Sequence, residues 1–178
     1  MAVPDGIDPL TRYNATARAF HAAIALLVIA NLALGLLHEP LEDKVNLIPL
    51  HKSIGLTVLG LSLARVAWRF TWTTPAYKPA LRRLDLLVAK AVHAAFYVLM
   101  IALPLSGWIM SSAGRRPLAW FGLPVPKLAI EKGSPLAEAA HEGHEILAWT
   151  MLALAVLHVA AALRHHFVLR DGVLRRMW

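Results

Sequence analysis

The sequence contains no cysteine in 178 residues. That excludes disulfides, thioether-attached haem, iron–sulfur clusters and thiolate zinc sites. Charge is sparse at 16% of residues. The Asp and Glu residues stand at the ends of the apolar runs, not in their centres, which argues against an acid-based proton relay across a membrane. There is no internal repeat. The net charge is +7, but the basic residues flank apolar runs instead of collecting on a polar surface. Nucleic acid is therefore not the implied partner; a membrane surface is.

What the chain has in abundance is apolar sequence, 58% of residues with positive mean hydropathy. A soluble domain of this size is rarely so apolar. Four runs are long enough to be membrane spans. The sequence thus predicts an all-α integral membrane four-helix bundle, one domain over 1–178, with spans at about 18–37, 47–69, 86–110 and 144–167. Residues 1–18 read as a polar tail turning helical near Asn14 or Thr16. No clean small-x-small cleavage site follows the first run, so a signal peptide is not expected. Pro40 marks the first connection and Pro75 the second. Pro104 falls inside the third run, where neighbouring helices can absorb a kink. Ser111 to Ala140 is the longest connection, and its segment Pro117 to Pro126 is aromatic enough for an interface.

Four spans place both termini on one side. That side carries 12 of the 18 Lys and Arg; the other carries six, against seven carboxylates. The positive-inside bias puts both termini in the cytoplasm of a bacterial inner membrane.

Nine histidines are the main metal-ligand resource. His144 and His158 bound the fourth run. Fourteen residues of α-helix rise roughly 21 Å and return to within about 40° of one face. One helix therefore offers an imidazole at each of two membrane depths. His21, at the start of the first run, matches the depth of His158. His51, at the start of the second, matches His144. Each pair suits a haem iron, which accepts axial histidine. Gly35 and Gly107 lie 14 residues after His21 and His93, and Gly55 lies four after His51. They leave room for a porphyrin, or simply let helices pack closely. Arg65, 14 after His51, is placed to meet a propionate or to anchor the inner interface. His93 faces the inner haem, a quinone pocket or another helix. His141 is the alternative to His144, which has the better spacing. His38, His165 and His166 read as interfacial, with His165 on the face of His158 where a propionate could lie.

These residues resemble the bacterial cytochrome b561 family of small dihaem membrane proteins. The resemblance covers about Thr16 to Met177. Its carriers are His21; His51-x-x-x-Gly55 with Arg65; His93 followed by Ile101-Ala102-Leu103-Pro104; His144-Glu145 with His158; and the end His165-His166 through Leu174-Arg175-Arg176-Met177. It implies His21/His158 and His51/His144 as ligands of two haems b, and electron exchange with membrane quinone. One kind of member oxidises periplasmic superoxide and reduces ubiquinone. Ala22, where an aromatic residue is usual, Lys52 beside His51, and the Gly114-Arg115-Arg116 loop depart from the family pattern.

Two rival functions remain at this level. One is a cytochrome b subunit relaying electrons from a partner dehydrogenase to quinone. The other is a non-haem transporter or structural membrane protein.

Overall fold

The computed structural model describes residues 12–73, 75 and 83–177. Lys78 and Arg82, two of the charges counted for the inner side, lie outside them. Four long helices dominate: α1 (Ala15–Leu37), α2 (Ile48–Arg69), α3 (Arg83–Ala113) and α4 (Pro135–Arg164). Asn14 starts α1 by accepting the Ala17 N–H at 2.8 Å, which satisfies one of the free amides of the first turn. Pro49 sits in the first turn of α2, where its missing N–H costs nothing. Pro104 is carried inside α3.

The fourth helix starts earlier than its hydropathy suggests. Pro135–Gly143 belongs to α4 and not to the connection. Ser134 caps it by accepting the Ala137 N–H at 3.3 Å, with Pro135 opening the helix and Glu138 in its first turn. This first stretch is too polar to register as a span, so only the capping signals mark it. Beyond Arg164 the chain winds into a π-helical turn (His165–Leu169) and then a short 3₁₀ turn (Leu174–Arg176).

Three helices, α1, α3 and α4 with its extension, are long and apolar enough to cross a membrane. The fourth, α2, is less apolar because it carries His51, Lys52, Arg65 and Arg69. At 22 residues it still reaches about 33 Å. The bundle is inside-out relative to a soluble one. Leu26, Ile29, Leu63, Val98, Ile146, Trp149 and Val156 face outward, as lipid-facing residues do, because lipid imposes no penalty on them. Ser53, Ser62, Ser106 and Ser112 are buried, as is an apolar cluster of Ile24, Leu99, Met100 and Met151.

Helix α1 packs on α2, α2 on α3 and α3 on α4, while α4 does not close as tightly on α1 or α2. The interior between α4 and those two helices is thus bridged by side chains. The loop after α3 forms a small antiparallel hairpin, β1 (Ala119–Trp120) and β2 (Leu123–Pro124). Its turn, Phe121–Gly122, takes positive φ at both positions, the twist that a two-residue hairpin requires.

Candidate functional site: two histidine pairs

The less tightly closed interior is where the histidines meet. His21 of α1 and His158 of α4 face each other with ring centres 6.4 Å apart. His51 of α2 and His144 of α4 do so at 6.1 Å. One helix, α4, contributes to both pairs, so their separation follows its rise of roughly 21 Å over 14 residues.

The spacing within each pair has a chemical meaning. A metal–imidazole bond of about 2.0–2.1 Å, with the ring centre roughly 1.1 Å behind the nitrogen, puts two trans imidazoles about 6.3 Å apart, centre to centre. Both pairs lie within about 0.2 Å of that figure. Among the described residues no group of three or more His, Cys, Asp or Glu is arranged to hold a metal ion. The His51/His144 level offers two imidazoles, and the His21/His158 level a facing pair with His93 beside it, 5.8 Å from His158. So few protein donors suit a group that brings its own equatorial ligands, as haem does. Ser62 Oγ and Asn31 Oδ1 are also buried without a hydrogen-bond partner. Buried polar atoms usually have one, so both point to a bound group or water in the interior.

The surroundings of the two pairs differ. His51 Nδ1 lies 3.1 Å from the Asn31 carbonyl of α1. His144 Nδ1 lies 3.0 Å from Ser106 Oγ of α3, and that hydroxyl donates to the Leu103 carbonyl at 2.8 Å. The hairpin covers this end. Ser53 Oγ accepts the Phe121 N–H at 3.0 Å, and Trp120 Nε1 donates to Thr57 Oγ1 at 2.9 Å. Lys127 Nζ ties back to the carbonyls of Gly114 and Arg116. Lys52 is within electrostatic reach of Arg116 and Lys127. His141 is exposed, whereas His144 faces His51.

The His21/His158 end is aromatic and cationic. His93 of α3 sits 5.8 Å from His158, ring centre to ring centre, and Phe96 sits 5.3 Å from it. Arg65 lies over the Tyr97 ring at 5.6 Å and within electrostatic reach of His21 and His93. The termini clasp this end. Arg176 is buried, donates to the Pro75 carbonyl at 2.7 Å and lies 5.5 Å over the Tyr13 ring, while the Tyr13 N–H donates to the Arg176 carbonyl at 3.1 Å. Sequence reasoning missed this clasp; Arg176 reads there as one more basic tail residue. His165, read as interfacial on the face of His158, pairs with Asp171.

The glycines divide. A methyl group added to Gly35 would lie 3.3 Å from His51 Cε1, and one added to Gly107 would lie 3.1 Å from His144 Cε1. At Gly55 the nearest atom would be Asn31 Nδ2, at an ordinary 3.5 Å. Gly35 and Gly107 are therefore in close contact with the imidazoles and Gly55 is not.

A membrane helix bundle that faces histidines across its interior at two depths defines a membrane electron-transfer cytochrome. The chain belongs to the prokaryotic cytochrome b561 family, whose sequence profile matches residues 12–178. It is 36% identical over 171 residues to cytochrome b561 homolog 2 of Escherichia coli strain K12, covering 93% of this chain and 90% of that protein. It is 34% identical over 129 residues to the probable superoxide oxidase CybB of Yersinia pestis, 72% of each chain. To cytochrome b562 of Cereibacter sphaeroides it is 30% identical over 171 residues, 88% of this chain and 89% of that one. The family is one of haem b membrane electron-transfer proteins, and this chain is a bacterial membrane protein. That removes the non-haem transporter reading.

Proposed function

We propose that the chain holds two haems b, one between His21 and His158 and one between His51 and His144, and passes electrons between the outer face of the membrane and ubiquinone. The observation that carries this is the pair of ring separations, 6.4 and 6.1 Å, with no group of three or more His, Cys, Asp or Glu arranged to hold a metal ion among the described residues. Haem b supplies the one-electron chemistry when bound; the protein supplies orientation, exclusion of water and electrostatics. Both termini are cytoplasmic on this reading, because the basic residues concentrate on their side. His51 and His144 then belong to the periplasmic end.

The residues divide the remaining work. Arg65 neutralises a propionate at the inner end, its guanidinium oriented by the Tyr97 ring. His93, beside His158, offers an ionisable group where a proton is needed for quinone reduction. Gly55 is assigned to helix packing against Asn31.

At the outer end Lys52, Arg116 and Lys127 form a local positive cluster next to a ligand-bearing turn. A cleft lined by one sign of charge raises the encounter rate of an oppositely charged substrate. Superoxide is a small anion of that kind, and the relative named as a probable superoxide oxidase supports this choice of donor. Superoxide gives up one electron and leaves as dioxygen; two electrons and two protons convert ubiquinone to ubiquinol.

The test is stopped-flow mixing of the oxidised protein with superoxide, followed by addition of a soluble ubiquinone. Haem reduction by the first and reoxidation by the second is the expected sequence. Absence of reduction by superoxide removes that donor, and failure of ubiquinone to reoxidise the haems removes the acceptor.

A further inference from the structure

The two imidazoles at the hairpin end are seated in the same way by unrelated stretches of sequence. In an α-helix the carbonyl of residue i accepts the N–H of residue i+4 and keeps a second lone pair on the helix surface. The side chain at i+4 leans back over the preceding turn and normally covers that surface. On α1 the carbonyl that receives His51 Nδ1 is Asn31, and residue i+4 is Gly35. On α3 the carbonyl beneath His144 is Leu103, which His144 faces both directly and through Ser106 Oγ, and residue i+4 is Gly107. Each imidazole lies where the missing Cβ would have been. The distances of 3.3 and 3.1 Å are shorter than the 3.5–4.0 Å of an unstrained carbon contact, so alanine at either place would push the ring away from its carbonyl.

The hydrogen-bond direction is fixed in both seats. A carbonyl only accepts, so His51 Nδ1 carries the proton. Ser106 has one hydroxyl hydrogen and gives it to Leu103, so its oxygen accepts from His144 Nδ1. In the neutral rings Nε2 is therefore the unprotonated nitrogen, the one left to act as a ligand. A ligating imidazole that donates its other N–H is a more basic ligand, which favours the oxidised metal. Among the described residues neither His21 nor His158 makes such a bond. Their neighbours are the Phe96 and His93 rings and the Arg65 charge. Lys52 likewise places a positive charge beside His51, so the seats and not the charges set the two pairs apart.

We propose that Asn31-x-x-x-Gly35 and Leu103-x-x-Ser106-Gly107 are paired seats that fix the tautomer and raise the basicity of His51 and His144, giving the haem of that pair the lower reduction potential of the two. The proposal rests on the two-haem reading above. Asn31, Gly35, Ser106 and Gly107 are positioning residues in it, since they act through the imidazoles. The resulting gradient runs downhill for electrons from the hairpin end to the clasped end.

The experiment is a potentiometric titration of the purified holoprotein at the α band, with haem content measured in the same samples. Two components are expected in the wild type. Ser106→Ala should raise the lower one and leave the upper one in place, and Ser106→Thr should restore it. Gly107→Ala and Gly35→Ala should raise it further, because they displace the ring itself. Gly60→Ala should move nothing, since a methyl group there meets no atom within 4 Å. A tenfold loss of preference for the oxidised form corresponds to a rise of about 59 mV for a one-electron couple. His158→Ala, which leaves only the His51/His144 haem, should retain the lower component; this assigns the components even where a seat variant binds haem poorly. Two haems with unmoved potentials in all the seat variants overturn the seats and leave the two-haem reading standing. Retention of the upper component in His158→Ala overturns the potential order. A wild type without two haems overturns both readings.

Discussion

The two ends of the bundle solve one problem with different means. At the hairpin end the imidazoles are held by hydrogen bonds to neighbouring helices and closed over by a loop fixed through Ser53 and Thr57. At the other end they are held by rings and charge, His93, Phe96 and Arg65, and the structure is closed by its own termini through Arg176. The contrast teaches that equal ligand geometry does not mean equal ligand chemistry. Ring separations of 6.4 and 6.1 Å would accommodate the same group, yet only one pair has its Nδ1 protons accounted for.

The sharpest way to break the comparison is to remove one ligand at a time. His158→Ala or His21→Ala should lose the haem at the clasped end and spare the other, and His51→Ala or His144→Ala should do the reverse. Each is read from the haem content and from which α-band component disappears. His141→Ala should leave both haems in place; loss of one haem from it would shift the α4 ligand by one turn.

The next effect is on stability and belongs to the clasped end. Arg176→Ala removes the Pro75 bond and the Tyr13 ring contact and leaves the Pro75 carbonyl without that donor. A cost of about 2–4 kcal/mol is expected, measured as a lower thermal midpoint in detergent. The His21/His158 component should be lost first on heating. Equal loss of both components would mean that the clasp serves the whole bundle.

A kinetic difference follows at the hairpin end. The double variant Lys52→Gln/Arg116→Gln should slow haem reduction by superoxide and flatten its dependence on ionic strength, with the haem spectrum unchanged. Lys127 is left intact because it anchors the loop through Gly114 and Arg116. An unchanged salt dependence would remove the cluster from the encounter. The smallest effect is that of Trp120→Phe, which deletes one hydrogen bond to Thr57. About 0.5–1.5 kcal/mol is expected, as faster hydrogen exchange in the hairpin without a change in haem content.

Much of the helical plan was legible in the sequence because apolar run length is a strong signal in a membrane protein. The depth matching of His21 with His158 and of His51 with His144 was legible too, since rise per residue is nearly constant along a helix. What was not legible depended on contacts between distant segments. Pro135–Gly143 is helical through caps and packing in spite of its polarity. The hairpin from Ala119 to Pro124 exists because Ser53 and Thr57 of α2 receive it. Arg176 is buried because Tyr13 and Pro75 arrive from elsewhere in the chain. The spacing of Gly35 and Gly107 drew attention to both, but their contact with His51 and His144 needed three dimensions. The neighbours of Gly55 and His165, Asn31 and Asp171, likewise needed three dimensions.

The central claim is that four imidazoles on four positions hold two haems. A pyridine haemochrome assay on the purified protein, set against quantitative amino-acid analysis of the same sample, measures it directly. The account predicts two haems b per chain, falling to one in His158→Ala and in His51→Ala. A fully loaded wild type with one haem per chain, or a second haem that survives both substitutions, would contradict it.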